Sequence, residues 1–172
     1  AREQGIQHFL TVCVDLADIP ALIAIAEANS DISLSVGVHP SDVAPTTPVS
    51  VEQLCDLAQH PKVVAIGETG LDYYYHPELA ADQQQSFITH ILASNQSGKP
   101  LIVHTRDARA DTISLLREYK AQQGVLHCFT EDWDTAKAAL DLGFYISLSG
   151  IVSFANAKDL KEVAKKIPLD RL

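Results

Sequence analysis

The 172-residue chain is 47% hydrophobic and 20% charged, the composition of a globular protein with an apolar core. Its net charge of −9 excludes a broad basic surface as the means of holding a polyanion, although a bound divalent cation can still bring positive charge to a phosphate. No run of about 20 apolar residues is present to cross a membrane. No leader pattern is read at the start, and Cys13, Cys55 and Cys128 form no CxxC pair, which fits a reduced, cytoplasmic chain.

Taken in order, apolar runs rich in β-branched residues fall at 6–14, 32–38, 62–66, 101–103, 124–126 and 144–148. Near-continuous runs of this kind suit strands buried on both faces of a parallel sheet. Helical patterns lie between them, at 19–29, 51–59, 78–97, 108–120, 133–142 and 156–167. The third of these begins at Pro77-Glu78, carries Phe87, Ile88, Ile91 and Leu92 on one stripe, and stops at Gly98. Strand and helix alternate six times, so the reading is a single α/β domain over 1–172 with a parallel sheet. The first residues read as the end of a helix entering a strand, and Leu169-Asp170-Arg171-Leu172 reads as the lead-in to another. An eight-stranded α/β barrel takes about 250 residues. Six units therefore fit either a small open sheet or the middle of a larger barrel.

The polar residues of interest sit where apolar strands end, which is where parallel α/β folds build their sites. Val36-Gly37-Val38 runs into His39-Pro40, and Ala65-Ile66 runs into Gly67-Glu68-Thr69-Gly70-Leu71-Asp72. Ile102-Val103 runs into His104-Thr105-Arg106-Asp107, and Val125-Leu126 into His127-Cys128-Phe129. A glutamate and two or three histidines at one rim form a donor set for a divalent metal, and the lack of paired thiolates argues against a structural zinc. Such an ion can acidify a bound water and polarise a phosphoryl or acyl oxygen. His8, His60, His76 and His90 read as surface or packing residues. Strand alternation sends Cys128 to the face opposite His127, away from the site. Tyr73, Tyr74 and Tyr75 form the one aromatic cluster, suited to packing or to stacking a base.

Gly37-Val38-His39-Pro40, Gly67-Glu68-Thr69-Gly70-Leu71-Asp72, Val103-His104-Thr105-Arg106-Asp107, Leu126-His127-Cys128-Phe129 and Tyr145-Ile146-Ser147-Leu148-Ser149-Gly150 occur in one order across the chain. In these motifs the chain resembles the TatD family of metal-dependent deoxyribonucleases. The resemblance implies a (β/α)8 barrel of the TIM type, of which this chain looks like strands two to seven. It implies metal ligation by Glu68, His104 and His127, with one or two divalent ions, magnesium or manganese, or else zinc. Substrate contacts are expected from His39, Arg106 and Tyr73. The family's His-x-His pair on its first strand and Asp after its last, the expected general base, are not matched here. So the six-unit chain alone is expected to hydrolyse little. The implied activity is phosphodiester hydrolysis of single-stranded DNA by an exonuclease, with no membrane partner. A metal-dependent ester or amide hydrolase, such as an aminoacyl-tRNA deacylase, or an inactive fragment, stand as the alternatives.

Overall fold

The computed structural model describes all 172 residues. Six strands, β1 (Phe9–Thr11), β2 (Ile32–Val36), β3 (Val63–Asp72), β4 (Leu101–Arg106), β5 (Gly124–Leu126) and β6 (Tyr145–Ile146), pair side by side in chain order, every pair parallel. Six helices lie between and after them: α1 (Ile19–Ala28), α2 (Val51–Leu57), α3 (Ala80–Ser97), α4 (Arg109–Glu118), α5 (Trp133–Asp141) and α6 (Lys158–Ala164). Parallel strands in sequential order, each followed by a helix, make the wall of a barrel, here a curled half-barrel. No helix is long and apolar enough to cross a membrane.

Period-two alternation decides which side chains meet the helices. Val36, Ile66 and Leu101 are register partners, as are Val103, Leu126 and Ile146, and all six are fully buried. They pack with Phe87 and Ile91 of α3, Leu116 of α4, and Ala136 and Ala139 of α5 in one core cluster. The opposite, concave face carries Leu10 and Tyr145, each more than a third exposed. Local chemistry starts and stops the helices. Ser50 Oγ accepts the Gln53 N–H and Asp132 Oδ1 the Thr135 N–H, while Gly98, at φ 69°, closes α3.

Two strands run further than the sequence suggests. The glycines around Glu68 read as a loop after residue 66, yet β3 continues to Asp72. Ile66 pairs with Leu101 and Thr69 with Val103, so two residues of β3 face one of β4 in a bulge at Gly67 and Glu68. A Cβ on Gly67, whose φ is 138°, would lie 2.5 Å from the Ile102 carbonyl oxygen, so the bulge demands glycine. Beyond it Thr69 and Leu71 turn to the helices, fully enclosed, while Glu68, Gly70 and Asp72 share the other face. β4 likewise continues to Arg106. Thr105 turns outward to bond Thr112 of α4 at 2.9 Å, which leaves Ile102, His104 and Arg106 on the concave side.

His90, in the middle of α3, is wholly buried. Its Nδ1–H donates to the Ser86 carbonyl (2.7 Å), and its Nε2 accepts the Val38 N–H (3.0 Å), which pins the neutral tautomer. Burial pushes its pKa down to about 4. The unfolded chain therefore binds this proton at pH values where the folded chain does not. Stability from His90 is intact above pH 6.5 and is lost as pH falls from 6.5 to 4, by about 3 kcal/mol. Urea unfolding across that range will show a steeper acid decline for the native chain than for His90→Gln. Parallel pH dependence in the two would exclude His90 as the source.

Candidate metal site

The C-terminal ends of β3 and β4 and the turn after β2 converge on one spot. Ligand-type atoms of His39, Glu68 and His104 lie within 4.8 Å of one another. Glu68 arrives from the β3 bulge, its N–H donating to the Cys13 carbonyl at 2.8 Å, and is 9% exposed. His104 sits on the adjacent strand as the register partner of Gly70. The His39 ring meets the His104 ring edge-on at 4.5 Å.

Hydrogen bonding separates the roles of the two histidines. His104 Nε2 lies 3.0 Å from Asp72 Oδ2, and an ionised carboxylate only accepts, so the ring proton sits on Nε2. In the neutral ring, the form a metal needs, Nδ1 then carries the lone pair, 3.6 Å from Glu68 Oε1. A carboxylate on the far nitrogen is the usual support of a metal-binding histidine. His39 is the reverse. Its Nδ1 accepts the Ser41 N–H (3.2 Å), so in the neutral ring the proton is on Nε2, which can donate but not ligate.

The electrostatics also set the two rings apart. Burial pushes Glu68 up, but the surrounding imidazoles, His104 first, outweigh it and hold the carboxylate below its usual range. Burial pulls His104 down, yet Glu68 and Asp72 raise it above an ordinary histidine. His39 is lowered by burial and then by the His104 charge, so it stays neutral. The donor set, one ionised carboxylate and the His104 nitrogen without thiolate, fits a divalent ion.

His127 stands outside the 4.8 Å group, although it is near enough to help lower Glu68, and its backbone N–H extends the ladder to the Val103 carbonyl at 2.8 Å. Arg106, two residues beyond His104, makes no salt bridge with any carboxylate. Its guanidinium lies over the Tyr74 ring at 4.0 Å and the Tyr75 ring at 4.6 Å. Tyr73 is held elsewhere: its hydroxyl donates to Asp111 (2.9 Å) and accepts from Gln84 (2.7 Å), and its ring packs on the core. Cys128 does not follow strand alternation. The backbone turns there at φ 49°, and the thiol donates to Ser149 Oγ at 3.1 Å.

Asp72 is a candidate site residue that the sequence alone does not single out. It is 1% exposed, and Gln83 clasps its backbone, accepting its N–H at 2.8 Å and donating to its carbonyl at 3.0 Å. The signal was present: once β3 continues past the glycines, Glu68, Gly70 and Asp72 alternate onto one face. Asp72→Asn keeps the shape but turns an NH2 towards His104 Nε2, which forces the ring proton onto Nδ1. Calorimetric titration with manganese should then show affinity 10–100-fold weaker, about the loss usual for such outer partners. Unchanged affinity would remove Asp72 from the site.

Comparisons with known proteins identify the family. The family model described as "TatD related DNase" matches residues 1–172. The uncharacterized metal-dependent hydrolase YcfH of Escherichia coli K12 is 49% identical over 174 residues, which takes in all of this chain and 65% of YcfH. The 3'-5' ssDNA/RNA exonuclease TatD of Edwardsiella piscicida is 34% identical over 176 residues, covering all of the chain and 68% of that protein. The crystal structure of YJJV, a TatD homolog from Escherichia coli K12, shares the fold with a TM-score of 0.90 at 24% identity, over the whole chain and 68% of YJJV. The chain thus spans about two thirds of the length of the relatives it matches. With its glutamate and histidines gathered at the strand ends of a half-barrel and the family model matched from first residue to last, the chain belongs to the TatD-related DNase family.

Proposed function

We propose that the protein of which this chain is part is a metal-dependent phosphodiesterase, an exonuclease that shortens single-stranded DNA. The observation that carries this reading is the approach of Glu68 to His104 Nδ1, with Asp72 behind the ring at Nε2. The name of the Edwardsiella relative supports the substrate class. Glu68 and His104 would hold a divalent ion, with His127 the next donor at hand. Magnesium or manganese suits the carboxylate, and zinc suits the imidazoles. Such an ion supplies Lewis acidity to a phosphoryl oxygen and a more acidic bound water.

The chain's own groups do the rest. Neutral His39 offers Nε2–H to a non-bridging phosphate oxygen, and its lowered pKa keeps it from repelling a cation beside it. Arg106, in no salt bridge, offers its N–H fork to the same phosphate or the next one along the strand. Asp72 keeps the proton on His104 Nε2, away from Glu68. The three free cysteines suit a reducing, cytoplasmic setting.

The test is digestion of 5′- and 3′-labelled single-stranded DNA by the full-length protein with magnesium, manganese or EDTA, beside an aminoacyl ester. Metal-dependent shortening of the DNA, abolished by EDTA, is expected. Intact DNA alongside a hydrolysed ester would replace this reading with an ester or amide hydrolase.

A further inference from the structure

We propose that Tyr74, Tyr75 and Arg106 form a stacking platform for an unpaired nucleobase beside the metal site, so that the protein reads a base as well as a phosphate. This rests on the phosphodiester reading above and gives it a substrate feature that the metal ligands do not supply.

Three consecutive tyrosines behave in two different ways. Tyr73 is tied down by Asp111 and Gln84 and packs on the core. Tyr74 and Tyr75 remain 57% and 59% exposed, their rings perpendicular at 4.9 Å. Arg106 lies over both rings although its sequence neighbour Asp107 and its register partner Asp72 are carboxylates. In a chain of net charge −9, a guanidinium that stacks on rings and forms no ion pair keeps its donors for an anion and its outer face for a flat ring.

Position ties the platform to the chemistry. Arg106 lies two residues from His104 on the same face of β4, about 7 Å along the strand. Asp72 joins the two: Oδ2 holds the His104 ring, and Oδ1 accepts the backbone N–H groups of Tyr74 (3.1 Å) and Tyr75 (2.9 Å). One buried carboxylate therefore orients the candidate metal ligand and the loop that carries the exposed rings. Bases stack on such aromatic and guanidinium surfaces with little regard to sequence.

Fluorescence anisotropy with a short oligothymidylate and an abasic oligonucleotide of the same length, each with calcium and with EDTA, tests this. The native protein should bind the thymidylate about tenfold more tightly than the abasic strand. Tyr74→Ala/Tyr75→Ala should lose that preference while holding the abasic strand as before, and Tyr74→Phe/Tyr75→Phe should keep it. Equal binding of the two probes by the native protein, or a preference untouched in the alanine variant, overturns the platform and leaves the phosphodiester reading in place. If neither probe binds under either condition, both fall.

Discussion

Glu68→Ala will abolish metal-dependent hydrolysis, with a rate loss of about a thousandfold or more. An ion that polarises a phosphoryl oxygen contributes several kcal/mol to the transition state, and each 1.36 kcal/mol is a factor of ten. Glu68 is the one carboxylate in the donor group, and its hydrogen-bonding neighbour His104 already helps to hold it ionised. Without it the site has imidazoles alone, and any cation drawn there meets a raised-pKa His104 that has lost half of its carboxylate support. The same variant separates ligand loss from misfolding. Manganese at about 100 times its dissociation constant should stabilise the native protein by about 2.7 kcal/mol, and the alanine variant not at all. A metal-induced rise in melting temperature that survives Glu68→Ala would place the ion elsewhere.

The largest expected effect on stability comes from Gly70→Ala. Gly70 has φ 133°, in the region that side chains rarely adopt, and it pairs in register with His104. A Cβ there would overlap the His104 carbonyl oxygen and stand 3.0 Å from the His104 backbone C and N. These are backbone atoms of the neighbouring strand, so no side-chain rotation relieves the clash. β3 and β4 must separate at the point where Glu68 and His104 face each other. The expected cost is about 3 kcal/mol or more, roughly 10 °C in melting temperature, together with weaker metal binding. Gly143→Ala is the control: its φ is 86° but nothing lies within 4 Å of the added Cβ, so it carries the backbone cost alone. Equal melting temperatures for the two variants would show that close approach of the strands is not what Gly70 provides.

Much of this was legible in the residues. The six strands and six helices follow from apolar runs and helical stripes, and the parallel sheet follows from their alternation. Val103 running into His104, and Leu126 into His127, marked the rim because charged or imidazole groups seldom end four buried strands by chance. The length of β3 was not legible. Glycines normally punctuate a strand, and only the approach of the Ile102 and His104 carbonyls shows that Gly67 and Gly70 continue it. Asp72 was lost for the same reason, since its place beside Glu68 depends on that extension. The different parts of His39 and His104 were also invisible, because a histidine's tautomer is set by whatever its other nitrogen meets. For His39 that is the Ser41 N–H, and for His104 it is Asp72. Nor does sequence distinguish three adjacent tyrosines. Tyr73 is pinned by residues 11 and 38 positions away, which only the fold brings to it.

The most direct measurement is the anomalous difference map of a crystal of the full-length protein grown with manganese. A peak bonded to the Glu68 carboxylate and His104 Nδ1, with His39 Nε2 turned to solvent or an anion and not bonded to the ion, is the expected result. A peak away from Glu68, or one ligated through His39 Nε2 with His104 left out, would contradict the division of roles drawn from the hydrogen bonds.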